Sequence, residues 1–243
     1  MEPSSGRKQT VIHKNNVVVQ LCTEPGARRF MGQPWKARIE MLQKYLMHGK
    51  LLVRFGSLLG LVLVVFLGAW TVSYFLLPEG VLRGKSAAQV LAGNDLAGGS
   101  VWWEWLRILA INLGAIGLII AANLFKTAGN TSLGYIAIIV NALIFGVVTG
   151  TNSFTLSQGG KLPPSMGIFG SSGLYEIAAY VLAAAATASI SKYRLVGKWG
   201  EKIVSTKTLS VIRERNVGIL LAIAILVIAC GWEAYRVALT IAS

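Results

Sequence analysis

The chain has 243 residues, of which 54% are apolar and 14% charged, with 23 Lys/Arg against 10 Asp/Glu and a formal net charge of +13. A charged fraction well below the ~25% of soluble domains, with a mean hydropathy of +0.60, excludes a disordered chain, a disulfide-rich secreted domain and an ordinary cytosolic enzyme. What remains is an all-α multi-pass membrane protein with basic ends.

Residues 1–33 read as a basic tail. Within it, Thr10 to Leu21 (TVIHKNNVVVQL) places β-rich runs on either side of Lys14-Asn15-Asn16. A small hairpin there is marginal in water without a support, and an unstructured tail is the alternative. Residues 34–53 read as an amphipathic helix. Pro34 suits a first helical position, and Trp35, Ile39, Leu42 and Leu46 recur at the spacing of one helical face. Lys36, Glu40 and Lys44 form i,i+4 pairs on another face. Such a helix lies in the inner membrane interface, or packs on a partner, before the chain turns at Gly49.

Residues 55–243 read as a five-helix transmembrane domain. The spans fall at about 55–77, 105–125, 131–156, 167–190 and 216–240. Each is long enough to cross a ~30 Å hydrocarbon core as a helix. Before the first span stand Arg7, Lys8, Lys14, Arg28, Arg29, Lys36, Arg38, Lys44, Lys50 and Arg54. Between the last two stand Lys192, Arg194, Lys198, Lys202, Lys207, Arg213 and Arg215. Five crossings put both basic segments on one side, against Arg83, Lys85 and Lys161 on the other. The positive-inside rule then predicts a cell (plasma) membrane protein with a cytoplasmic N-terminus and an extracytoplasmic C-terminus. The charge suits anionic lipid headgroups, and no basic-aromatic pattern points to nucleic acid. Trp102, Trp103 and Trp105 fit an aromatic belt at the outer interface.

Polar groups inside the spans are the candidate functional residues, because they are costly in lipid and turn toward protein or water. Glu176, Glu233, Arg107 and Arg236 all fall in the outer part of the bilayer. They are expected to pair or to line one polar pocket. Asn112 and Asn141 are expected to hydrogen-bond between helices. Small residues at Gly56 and Gly60, Gly146 and Gly150, Gly173 and the run Ala183 to Ala186 suit close helix packing or dimers. No phosphate loop, nucleophile elbow or paired-carboxylate catalytic pattern occurs. Cys22 and Cys230 lie in unlike segments, and His13 and His48 are far apart. No metal, cofactor or enzymatic activity is expected.

Four short patterns in order carry a resemblance. WLRILAIN holds Trp105, Ile108, Leu109 and Ile111-Asn112; NALIFG holds Asn141, Ala142 and Gly146; SSGLYE holds Gly173 and Glu176; ACGWEAY holds Ala229, Glu233, Ala234 and Tyr235. From Trp105 to Ser243 their order and spacing resemble the stage II sporulation protein M family of multi-pass membrane proteins. The first span fits loosely, and residues 1–54 match no motif of that family. In that family the first pattern ends in paired Asn, the second reads Asn-Gly, and the third begins Pro-His-Gly. Here Ile111 replaces one Asn, Ala142 replaces the Gly, and Ser171 and Ser172 stand at the Pro and His positions. The resemblance therefore carries over no role that needs that His. The resemblance implies a membrane scaffold that recruits partners, as the sporulation member looks to do, or a channel- or permease-like role. Three functions follow as expectations. One is a non-enzymatic protein that scaffolds or anchors a membrane complex with other subunits or further copies of itself. Another is a permease-like transport subunit that works with a separate ATPase. The last is an accessory subunit of an energy-converting assembly.

Overall fold

The computed structural model describes residues 34–83, 85, 100–127, 130–154, 160–165, 172–196, 202–205 and 212–242. The segment Thr10 to Leu21, where a hairpin is expected, lies outside them. The chain divides into two units, Met1–Arg38 and Ile39–Ser243, and the architecture below is that of the second. Helix α1 (Pro34–Leu46) runs across the boundary. Five helices long and apolar enough to cross a membrane follow: α2 (Leu51–Leu76), α3 (Val101–Ala122), α4 (Leu133–Gly150), α5 (Gly173–Thr187, continued by a 3-10 turn to Ile190) and α6 (Ile212–Ala242).

Their bounds follow from local chemistry. Ser100 caps α3, its hydroxyl accepting from the Trp103 backbone N–H at 3.3 Å, which satisfies one of the orphan donors of the first turn. Helix α4 is expected to run to about residue 156, but it stops at Gly150. There Asn152 takes a left-handed backbone with φ of +50°, a conformation that asparagine adopts more readily than most residues. Helix α6 starts earlier than its apolar run, because Arg213, Glu214 and Arg215 form a charged first turn. Charges there cost little where a helix end leaves the hydrocarbon.

Helix α5 is the centre of the bundle. Ile177 and every residue from Ala179 to Thr187 are buried, and α5 packs against α2, α3, α4 and α6. The alanine run explains this position. Side chains of one carbon let four neighbouring backbones approach, and in lipid it is such contact, not water exclusion, that holds helices together. Helix α2 packs chiefly on α4, burying Leu58, Val62, Phe66, Trp70 and Ser73 along one stripe. The Phe66 ring stacks on Phe145 with centroids 5.5 Å apart. At the end of α1, Leu46 is buried and its carbonyl accepts from the Tyr135 hydroxyl at 3.0 Å. Leu42, expected on the same face, is 39% exposed beside the exposed Met41 and Tyr45.

The α3–α4 and α5–α6 connections meet in a three-stranded sheet, a feature that the apolar pattern does not predict. Strand β1 (Phe125–Lys126) pairs parallel with β2 (Tyr193–Val196), and β2 pairs antiparallel with β3 (Lys202–Ser205). On the opposite side the connections lock by polar contacts. Lys161 Nζ donates to the Tyr74 and Leu77 carbonyls at the end of α2, where a cation suits the negative pole of a helix. Trp70 Nε1 donates to the Leu162 carbonyl at 3.1 Å, and the Gly80 N–H to the Thr151 carbonyl at 2.7 Å.

Candidate functional site: a polar cluster between α3, α5 and α6

Three of the six polar residues singled out in the sequence come together. At the start of α5, Glu176 lies in the first turn, preceded by Ser172. From α6, Glu233 faces them. The Ser172 hydroxyl donates to Glu233 Oε2 at 3.2 Å, which brings the Glu233 carboxyl beside the Glu176 turn, where Glu176 Oε1 is buried with no hydrogen-bond partner among the described residues. One α-helical turn deeper, the Tyr180 hydroxyl donates to Asn112 Oδ1 of α3. Asn112 Nδ2 in turn donates to Cys230 Sγ at 3.3 Å. Cys230 is fully buried, and its thiol is free. Polar side chains from three helices thus gather in two hydrogen-bonded groups, Ser172 with Glu233 and Tyr180 with Asn112 and Cys230. They offer no acyl-transfer geometry, and among the described residues no group of three or more His, Cys, Asp or Glu is placed to hold a metal ion.

Its position follows from its neighbours. Gly173, next to Ser172, packs so closely on α4 that a Cβ there would sit 2.5 Å from the Phe145 ring. This contact fixes the first turn of α5, and with it Glu176. Trp105 Nε1 donates to the Val227 carbonyl at 3.3 Å, tying α3 to α6 on the Asn112 side.

The other expected members are placed as follows. Arg107 pairs with Glu104 one turn earlier on α3. The sequence carries that signal as an i,i+3 acid–base pair. Arg236 lies on the exposed part of α6. Asn141, expected to bond between helices, is exposed at the middle of α4. Among the described residues nothing bonds to its side chain. The glycines divide in the same way. A Cβ at Gly146 would lie 2.6 Å from the Phe66 carbonyl, and one at Gly150 2.5 Å from the Trp70 carbonyl, so this pair is a contact with α2. Gly56 and Gly60 have nothing within 4 Å of a Cβ and face outward.

A second polar cluster, centred on Asn123, has no counterpart in the sequence reading. Asn123 is fully buried just beyond α3. Its Nδ2 donates to the Ala184 carbonyl at 2.9 Å and to Thr187 Oγ1 at 2.6 Å, and its Oδ1 accepts from the Ser132 hydroxyl. Its own carbonyl accepts from Ser191 at 2.8 Å. Four segments meet on one amide. The only sequence signal is a polar residue within an apolar stretch, at the end of a span and hard to tell from a loop residue.

Comparison of the chain with protein-family models, with curated proteins and with solved structures finds no match.

The carboxyl contact makes a measurable prediction. Glu176→Gln and Glu233→Gln each keep a hydrogen-bonding group but change which atoms donate. Their effects on detergent-induced unfolding will therefore be non-additive, with a coupling of about 0.5–3 kcal/mol in a double-mutant cycle. Additive effects would mean that the two groups do not touch.

Proposed function

We propose that this chain is a non-enzymatic integral membrane protein that scaffolds or anchors a larger complex in the cell membrane, with its basic side in the cytoplasm. The observation that carries this reading is Asn141. A side-chain amide in mid-span that faces outward and has no bond among the described residues would lie in lipid, where an unbonded polar group is costly. A helix from another chain relieves that cost. The outward faces also carry small residues suited to close approach: Gly56 and Gly60 on α2, and Gly114 and Gly117 on α3, none with a neighbour within 4 Å of a Cβ. The resemblance to the stage II sporulation protein M family supports the same reading. Of the residues that carry it, Gly146, Ala229 and Ala234 are buried in the bundle, while Asn141 and Tyr235 face outward.

The test is cross-linking of native membranes, then purification with mass spectrometry. The wild type will be recovered with stoichiometric subunits or further copies of itself. Asn141→Leu will lower that recovery about tenfold while the unfolding midpoint stays unchanged, since one interhelical polar contact contributes about 1–2 kcal/mol. A lone monomer from native membranes would remove the reading.

The Glu176–Glu233 contact favours a second reading, a permease-like subunit whose energy comes from a separate ATPase. Reconstituted protein with a copurified ATPase would then move a solute or protons, and Glu233→Gln would stop it.

A further inference from the structure

We infer that the outward stripe of α4 around Asn141 is the contact surface for a second copy of this chain, in a side-by-side dimer whose two-fold axis runs along the membrane normal. The inference rests on the scaffold reading and deepens it by naming the partner.

Helix α4 has two faces. Tyr135, Ile138, Ala142 and Gly146 are buried within the bundle, and Gly146 with Gly150 sets the contact with α2. Turned away from them, Val140, Asn141 and Ile144 are exposed and Ala137 is half-buried. These four residues fall at i, i+3, i+4 and i+7, the spacing of a single helix stripe. Ala137 stands one turn before Asn141 with a side chain of one carbon, so another helix can come close beside the amide. The other three side chains of the stripe are apolar, and lipid satisfies them. The amide alone is left wanting a partner.

Its chemistry selects that partner. Helix α4 carries no charged residue, so a foreign helix that brought an acid or a base to this level would find no opposite charge there. An amide has an acceptor oxygen and a donor nitrogen, so two asparagines satisfy each other in a reciprocal pair. Copies of one chain share one distribution of Lys and Arg and therefore enter the membrane in one orientation. A two-fold axis along the normal then holds each residue at the same depth as its own counterpart. Asn141 meets Asn141 without any complementary sequence, and the patch is self-complementary, as a two-fold contact must be. A single amide in an otherwise apolar helix contact also fixes the register of the pair.

The experiment uses the full chain with Cys22→Ser, which leaves Cys230 as the remaining thiol, fully buried. Ala137→Cys or Ile144→Cys is added, and native membranes are oxidised with copper phenanthroline. Each variant will give a disulfide-linked dimer of this chain, because a two-fold contact sets a residue near its own counterpart. Val64→Cys, exposed on α2, is the collision control and will give far less. Asn141→Leu will lower the yield at Ala137→Cys about tenfold, the scale of one interhelical polar contact. Asn141→Gln keeps an amide and will keep most of the yield. Native mass spectrometry of the wild type, released directly from its membrane, reads the same state without substitution and will show twice the mass of one chain. Equal linking at Val64→Cys and Ala137→Cys would overturn the inference, as would an unchanged yield in Asn141→Leu. Recovery of single chains with stoichiometric foreign subunits would overturn the second copy and leave the scaffold reading standing. A lone monomer would remove both.

Discussion

Gly150→Leu will force α2 and α4 apart and lower stability by about 3 kcal/mol or more. A Cβ at Gly150 would stand 2.1 Å from Ser73 Oγ and 2.5 Å from the Trp70 carbonyl. The hydroxyl can rotate, but the carbonyl is locked in its helix. One turn earlier, Gly146 meets the Phe66 carbonyl and the Ala69 methyl at 2.6 and 2.8 Å, so the two helices cannot slide to a nearby register. Ser73 also donates to the Trp70 carbonyl at 3.1 Å, so displacing it breaks a buried bond as well. Gly56→Leu is the control. Position 56 has open space around a Cβ, and its unfolding midpoint will stay within about 0.5 kcal/mol of the wild type. Unfolding in mixed micelles, followed by the fluorescence of the seven tryptophans, separates the two. Equal midpoints would mean that the α2–α4 crossing is not the one described.

Asn123→Ala will cost about 3 kcal/mol, close to 1 kcal/mol for each of three side-chain hydrogen bonds. The bonds to Ala184, Thr187 and Ser132 join the end of α3 to the end of α5 and the start of α4. Water has little access to this point, so the partners left behind stay unsatisfied. Ser132→Ala removes one bond and will cost about 1 kcal/mol. Thr187 keeps its own bond to the Ala183 carbonyl at 2.7 Å, so the loss falls on the amide and not on the α5 backbone. The same unfolding assay ranks the variants. An Asn123→Ala midpoint no lower than that of Ser132→Ala would show that the amide does not join these segments.

The five spans are legible in the sequence because each is a long apolar run, and in lipid a helix is the structure that satisfies its own backbone. Their ends are less so. The run at Phe55 is preceded by Arg54, which a hydropathy reading excludes, yet α2 begins at Leu51 because a long cationic side chain reaches the interface from the first turn. The sheet was not legible at all. Strand β1 has two residues, and its partner β2 lies two membrane crossings away in the chain, so no local alternation marks either. For the polar cluster, parity of crossings places Glu176 and Glu233 at one level, and the bond from Ser172, one turn before Glu176, to Glu233 joins the two helices there. Periodicity could not tell which way Asn141 faces, since Asn112 and Asn141 are both mid-span amides. Only the packing of α4 on α2 through Gly146 and Gly150 turns Asn141 outward.

The central position of α5 bears on how the protein is made. Its mean hydropathy is 1.4, against 2.0 to 2.4 for the other spans, and it carries Glu176 in its first turn. Taken alone in the insertion machinery, it gains the least from entering lipid. Its surroundings in the finished protein come from α2, α3 and α4, which are synthesised before it, and α6, which follows. Entry of α5 is therefore coupled to helices already waiting at the exit site. A ribosome stalled before α6 emerges would leave the alanine face without its most extensive neighbour.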